Sequence, residues 1–205
     1  MPGIFISLEG IEGSGKTTQN QMLATDLQRQ GYDVLQTREP GGTPLGAQLR
    51  ALILDPNQHF AHPMSEVLLF YADRFEHVEK VIKPALAAGK IVLCDRYIDS
   101  TYAYQIGGRN MPEDLIETLN ARVDVLPDIT ILFDISEEVG IARATKRAAL
   151  DRFEQEEVSF HRRVRQAYLK RATAFPDRIQ IIEVQDLTPD EIFAQVQIRI
   201  KEKVS

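Results

Sequence analysis

The chain has 205 residues, 43% of them hydrophobic, with 24 Lys and Arg against 30 Asp and Glu for a net charge of −6. This is ordinary globular composition, which excludes a disordered, collagen-like or coiled-coil chain. The acidity argues against a nucleic-acid partner, which calls for a basic face. No apolar run approaches the roughly 20 residues of a membrane helix, and Met1 to Glu9 lack the basic segment of a signal peptide, so a cytoplasmic location without a membrane partner is expected.

Short apolar runs alternate with helical patterns along the chain, the signature of a parallel sheet with crossover helices. Ile4 to Leu8 reads as the first strand, running into a glycine-rich turn. A helix over Lys16 to Gln30 should end on Gly31 in a left-handed cap. Tyr32 to Gln36 is a weaker strand. Pro44 to Leu54 and Ser65 to Ala88 have helical patterns, with Pro84 expected to kink or break the second. Gly89 stops that pattern before the buried strand Ile91 to Cys94, where Cys94 reads as a core thiol. A helix over Pro112 to Ala121 and a strand over Ile129 to Phe133 follow. Helices over Ser136 to Arg147 and Glu157 to Phe175 flank a charged stretch, and Arg178 to Val184 is the last strand. Thr188-Pro189-Asp190-Glu191 carries the cap, the proline and the third-position glutamate that open a final helix. Right-handed crossovers turn this order into a three-layer α/β/α sandwich, read as one domain over residues 1–205.

The strongest chemical signal is Gly10-Ile11-Glu12-Gly13-Ser14-Gly15-Lys16-Thr17, a complete G-x-x-x-x-G-K-[ST] phosphate loop with a strand before it and a helix after it. Its glycines allow backbone N–H groups to curl around phosphates. The helix N-terminus adds a positive dipole end. Lys16 should reach the β and γ phosphates of a nucleoside triphosphate, and the Thr17 hydroxyl should ligate Mg²⁺. Asp95-Arg96-Tyr97 sits at the C-terminal edge of a parallel strand, where open α/β sheets bind ligands. Asp95 suits the water shell of that Mg²⁺, and Arg96 suits a bidentate grip on phosphate; the alternative is a turn-capping aspartate beside a surface arginine. His59, His62, His77 and His161 show no metal-ligand spacing, so a structural zinc site is not expected.

Taken together with Thr37-Arg38-Glu39-Pro40-Gly41-Gly42-Thr43, Phe70-Tyr71-Ala72-Asp73-Arg74 and Asp151-Arg152-Phe153-Glu154, these motifs fall in the order of bacterial thymidylate kinases, and the chain resembles that family over nearly its whole length. The resemblance implies a P-loop nucleoside-monophosphate kinase that phosphorylates dTMP to dTDP with ATP and Mg²⁺, and that is typically homodimeric through helix packing. It gives the ATP side to Gly10 through Thr18 and to Arg143. It assigns Phe70 and Arg74 to the thymine base, although periodicity alone would make Phe70 a core residue. Arg96 becomes the grip on the acceptor phosphate with Arg50 beside it, while Thr101, Tyr104 and Gln105 become the wall near base and deoxyribose. Glu39 is drawn near the acceptor and its Mg²⁺, or simply caps its turn, and Glu12 is drawn near the acceptor sugar.

The run from Arg143 to Arg152 resembles the lid, expected over about residues 143–154. Because this phosphate loop carries no arginine, a lid arginine must bring charge to the transferring group, and Arg147 is the expected source. The pattern departs from the family at Thr145, which stands where a middle arginine is common, and at Ala148-Ala149, where a Gly-Glu pair is common. The rival readings are a kinase for another nucleoside monophosphate and a P-loop switch that only hydrolyses nucleotide. No Asn-Lys-x-Asp guanine reader is present for the switch.

Overall fold

The computed structural model describes residues 3–146 and 151–204. Among them, five parallel strands form one sheet in the order β2-β3-β1-β4-β5. The strands are β1 (Ile4–Glu9), β2 (Val34–Arg38), β3 (Ile91–Asp95), β4 (Ile129–Asp134) and β5 (Ile179–Glu183). The central strand β1 runs in register between β3 and β4, with Ile6 opposite both Leu93 and Ile129. The three inner strands are buried along nearly their whole length, which is why they read as continuous apolar runs.

Helices cover both faces. Ile6, Leu8, Leu93 and Ile131 pack with Leu23 and Leu27 of α1 (Lys16–Arg29) and Val196 and Ile200 of α9 (Pro189–Val204). Phe5, Val92 and Cys94, on alternate positions, pack instead with Val67 and Tyr71 of α3 (Pro63–His77), Ala85 of α4 (Lys83–Ala87) and Ile116 of α6 (Glu113–Asn120). The remaining helices are α2 (Pro44–Leu54), the single turn α5 (Ile98–Thr101), α7 (Glu137–Thr145) and α8 (Val158–Ala174). The three-layer sandwich expected from the sequence is the fold observed. Among the described residues, no helix is long and apolar enough to cross a membrane.

The punctuation also follows the chemistry. Gly31 ends α1 at φ 94°, with the Tyr32 N–H donating back to the Leu27 carbonyl. Thr188 and Glu191 form a reciprocal box, the Thr188 N–H donating to Glu191 Oε2 at 2.8 Å and the Glu191 N–H to Thr188 Oγ1 at 3.3 Å. Two segments differ from expectation. The helix carrying Pro84 is not broken there: it widens upstream into a π-helical stretch, Val78–Ile82, where the Lys83 N–H bonds the Val78 carbonyl. The i→i−5 pattern leaves room for a ring that cannot donate. The stretch after Tyr97, to which the sequence assigned no element, is helical: α5 runs directly into a second π-helical segment, Tyr102–Gly108.

Candidate active site

The C-terminal edge of the sheet opens into a cavity of about 530 Å³. Its lining runs from Gly13, Gly15, Lys16, Thr17 and Thr18 at one end, past Asp95 and Arg96, to Phe70, Arg74, Tyr104 and Gln105 at the other. The phosphate loop leaves β1 through Gly10 and Gly13, at φ 141° and 70°. A Cβ would lie 2.5 Å from the Phe133 carbonyl oxygen at Gly10 and 2.2 Å from that of Gly140 at Gly13, so both positions require glycine. Lys16 is folded over the loop, its Nζ donating to the Gly10 and Ile11 carbonyls at 2.9 Å and to Ser14 Oγ at 3.3 Å. Burial, with Arg96 close by, pulls this ammonium down to about 8. Thr17 and Thr18 line the cavity, whereas the Ile11 side chain is in the core and offers the loop only its backbone.

Asp95 ends β3, and its Oδ1 is buried without a hydrogen-bond partner among the described residues, in the same lining as Thr17. An orphaned carboxylate oxygen beside a hydroxyl is a fit for Mg²⁺. No group of three or more His, Cys, Asp or Glu gathers as a metal cage among the described residues, so the ion would be held mostly by phosphates and water.

Arg96 has a left-handed backbone at φ 69°. Its Nη1 donates to the Gly10 carbonyl at 2.9 Å and the Tyr168 hydroxyl at 3.1 Å, and its Nη2 to Glu12 Oε1 at 2.9 Å. Glu12 also accepts from the Tyr104 hydroxyl at 2.5 Å, and His161 lies 3.5 Å from its other oxygen. Burial would raise the Glu12 carboxyl, but Arg96, His161, Lys16 and Tyr104 together hold it well below the usual range. A carboxylate in a phosphate loop is thus tolerable because Arg96 neutralises it.

At the far end, Arg74 is 2% exposed, yet three of its N–H groups are committed: Nε to Glu39 Oε2 and Nη1 to Thr101 Oγ1, both at 2.7 Å, and Nη2 to the Tyr97 carbonyl at 3.0 Å. Glu39 turns inward rather than capping its turn, and its other oxygen meets His77 Nδ1 at 2.9 Å. Phe70 is half-buried against the core, with its ring 6.0 Å from that of Phe153, and it also lines the cavity. Arg50 donates to the Pro40 carbonyl at 2.9 Å. Burial and the nearby Arg38 and Arg96 lower its affinity for its proton. These three guanidiniums line the second, more polar lobe next to Asp95.

Arg143 sits against the loop, its Cβ 3.1 Å from where a Cβ on Gly13 would lie, but its guanidinium donates to the Gln185 carbonyl at 2.9 Å instead of entering the cavity. Arg147 lies outside the described residues. Sequence reasoning missed the props behind the site. Glu9, buried at the end of β1, accepts from the Tyr97 N–H and the Tyr168 hydroxyl at 2.7 Å and from Ser100 Oγ at 2.6 Å. His77 and His161, set aside for want of metal spacing, stand behind Glu39 and Glu12. The only available signal for His77 was its position three residues after Arg74 on one helix face.

A parallel sheet with a phosphate loop after its central strand, facing an arginine-lined pocket along the same edge, is the architecture of a P-loop kinase of the nucleoside-monophosphate type. The family model for thymidylate kinase matches residues 8–196. The chain is 48% identical over 202 residues to the thymidylate kinase of Ectopseudomonas mendocina (strain ymp), covering 98% of this chain and 94% of that one. It is 50% identical over 185 residues to that of Pseudomonas entomophila (strain L48), covering 89% and 88%. The crystal structure of thymidylate kinase from Ehrlichia chaffeensis matches with a TM-score of 0.80 at 37% identity, over 98% of this chain and 99% of that one. The chain belongs to the thymidylate kinase family.

Proposed function

We propose that this chain transfers the γ-phosphoryl group of ATP to the 5′-phosphate of dTMP, giving dTDP and ADP, as one domain over residues 1–205 with a lid at about 143–154. The observation that carries this reading is the single cavity in which the phosphate loop and the Phe70–Arg74–Gln105 pocket share one lining. In it the two phosphates can meet in line, with Arg96 between them.

On binding ATP, Lys16 would exchange the Gly10 and Ile11 carbonyls for phosphate oxygens. Thr17 directly, and Asp95 through water, would hold Mg²⁺, which when bound neutralises phosphate charge. Arg96, with Arg50 beside it, would grip and aim the acceptor oxyanion. A phosphate monoester has its second pKa near 6, so no strong general base is required. Arg147 from the lid would meet the charge of the transferring group, with Arg143 on the ATP side. Phe70 would stack on the base, and Arg74 retains N–H groups for its exocyclic oxygen. Gln105, Thr101 and Tyr104 would wall the base and deoxyribose. Glu12 and Glu39 would act by fixing Arg96, Tyr104 and Arg74.

We further propose a cytoplasmic homodimer. Its contact would be the face of α2 and α3 where Leu45, Leu52 and Leu68 stay 42–52% exposed and Phe75 reaches 36%. The test of the activity is a coupled assay of ADP release with dTMP, dUMP, UMP, AMP and CMP. Release that depends on acceptor and is fastest with dTMP supports the reading. Release that ignores the acceptor overturns it in favour of a hydrolytic switch.

A further inference from the structure

Gln105 lies in the π-helical segment Tyr102–Gly108, 1% exposed, and lines the cavity. Its Nε2 donates to Glu66 Oε1 at 3.1 Å. Glu66, on α3, is 3% exposed and paired with two cations: Arg152 Nη2 is 2.7 Å from Oε2 and Arg109 Nε 3.4 Å from Oε1. A carboxylate held this way only accepts, so the Gln105 amide has one workable orientation. Turned over, its carbonyl oxygen would face the carboxylate oxygen with no proton between them. The orientation leaves Oε1 as the amide's other tip, and it accepts no hydrogen bond from the described residues.

We infer that Glu66 is a specificity-determining residue, which fixes the Gln105 amide so that its oxygen, not its nitrogen, reads the pyrimidine. The inference rests on the reading that the base lies at Phe70, Arg74 and Gln105. An acceptor tip matches the N3–H of thymine or uracil and opposes the N3 lone pair of cytosine. Arg74 carries donors only, so it matches a 4-oxo group and opposes a 4-amino group. The two residues therefore present one acceptor and one donor, the complement of the oxo-imide edge. Glu66 itself would touch no substrate and is a positioning residue.

The test compares dTMP and dCMP in the full-length protein, by kcat/KM and by calorimetric Kd. In Glu66→Gln the substituted amide can donate as well as accept, so Gln105 is free to turn over. The dTMP-to-dCMP preference should fall about tenfold or more. A merely structural role would weaken both nucleotides alike and leave the ratio where it was. Glu66→Asp keeps the charge but draws the carboxylate back from Gln105, and should lower the ratio in the same direction if Glu66→Gln does not fold. Should Gln105→Leu collapse the preference while both Glu66 variants keep it, Glu66 does not set the amide and the base pocket stands. If Gln105→Leu also keeps it, the base does not lie at Gln105 and the pocket reading itself fails.

Discussion

At the donor end, one uninterrupted segment, Gly10 to Thr18, supplies the phosphate cradle, largely from backbone. At the base end, Phe70 and Arg74 come from one helix and Thr101, Tyr104 and Gln105 from another stretch. Arg74 and Gln105 each lean on a buried carboxylate elsewhere in the chain, Glu39 and Glu66. The first construction needs only a turn that bends correctly. The second needs the whole fold to be right before any residue in it is useful, because an unpaired guanidinium in a site as closed as that of Arg74 is costly. The two ends should therefore fail in different ways when damaged: the donor end in rate, the base end in stability and specificity.

The largest expected effect is at the base end. Glu39→Ala leaves the Arg74 guanidinium buried without its carboxylate, which lies 2.7 Å away in the intact site. Removing one partner of a buried pair costs about 3–5 kcal/mol, and urea unfolding should show a loss of that size. A loss of under about 1 kcal/mol, the worth of an exposed pair, would mean that the base end does not depend on this prop.

At the donor end the expected damage is kinetic. Lys16 offers the loop its only ammonium, and Lys16→Ala should lower kcat by a factor on the order of 10² or more. Its unfolding midpoint should move far less than that of Glu39→Ala, since the Lys16 contacts are to carbonyls of its own loop. Near wild-type turnover in the folded variant would sink the phosphate-loop assignment.

Between these extremes lies Tyr104, which belongs to both ends. Its hydroxyl meets Glu12 of the loop, and its ring packs edge-on against Phe153 at 5.6 Å. As a wall where a ribose 2′-hydroxyl would project, it should make UMP a worse substrate than dUMP by roughly 1–3 kcal/mol of unmet desolvation. Tyr104→Ala should narrow that dUMP-to-UMP gap and spare the dTMP-to-dUMP gap, which a methyl group sets at about 10–200-fold. Tyr104→Phe keeps the wall and frees Glu12, so the sugar gap should persist in it while kcat falls. Equal use of UMP and dUMP by the wild type would remove Tyr104 from the sugar wall.

The difference between the two ends also explains what could be read in the sequence. The phosphate loop was legible because its chemistry depends on neighbours: glycines, lysine and threonine within eight positions, between a strand and a helix whose patterns are themselves local. The base-stacking role proposed for Phe70 was legible only through resemblance, since periodicity alone makes it a core residue. Glu39 was drawn toward the acceptor or its own turn, but its pairing with Arg74 was not legible, and neither Glu9 nor Glu66 was singled out. Glu39 meets Arg74 across 35 positions and Glu9 meets Tyr168 across 159, and no spacing rule links such partners. The π-helical segment at Tyr102–Gly108 was missed for a related reason. Its wide turn answers to packing against α8 rather than to any cap or proline in its own sequence.

The smallest expected effect concerns Glu9, which lies one residue before the loop yet is built like the base end, from distant partners. Burial, helped by the charge of Asp99, raises its carboxyl to about 7 from an ordinary value near 4.5. Because the folded value is the higher one, the folded state holds the proton more tightly than the unfolded chain. Stability from this group is therefore greatest at low pH and is lost progressively as pH rises from about 4.5 through 7, the reverse of an ordinary salt-bridged carboxylate. Glu12, three residues on and held low by Arg96, behaves in the ordinary direction and loses its contribution only in acid, so it is silent above pH 6. Glu9→Gln removes the titration while keeping an amide in the same cage. Between pH 6 and pH 8 the wild type should lose on the order of 1 kcal/mol relative to Glu9→Gln in urea unfolding. Taking the difference between the two proteins cancels every titratable group that they share. If the two stability curves run parallel across that range, Glu9 is already ionised in the folded protein, and the hydrogen bonds from Tyr97, Ser100 and Tyr168 outweigh its burial.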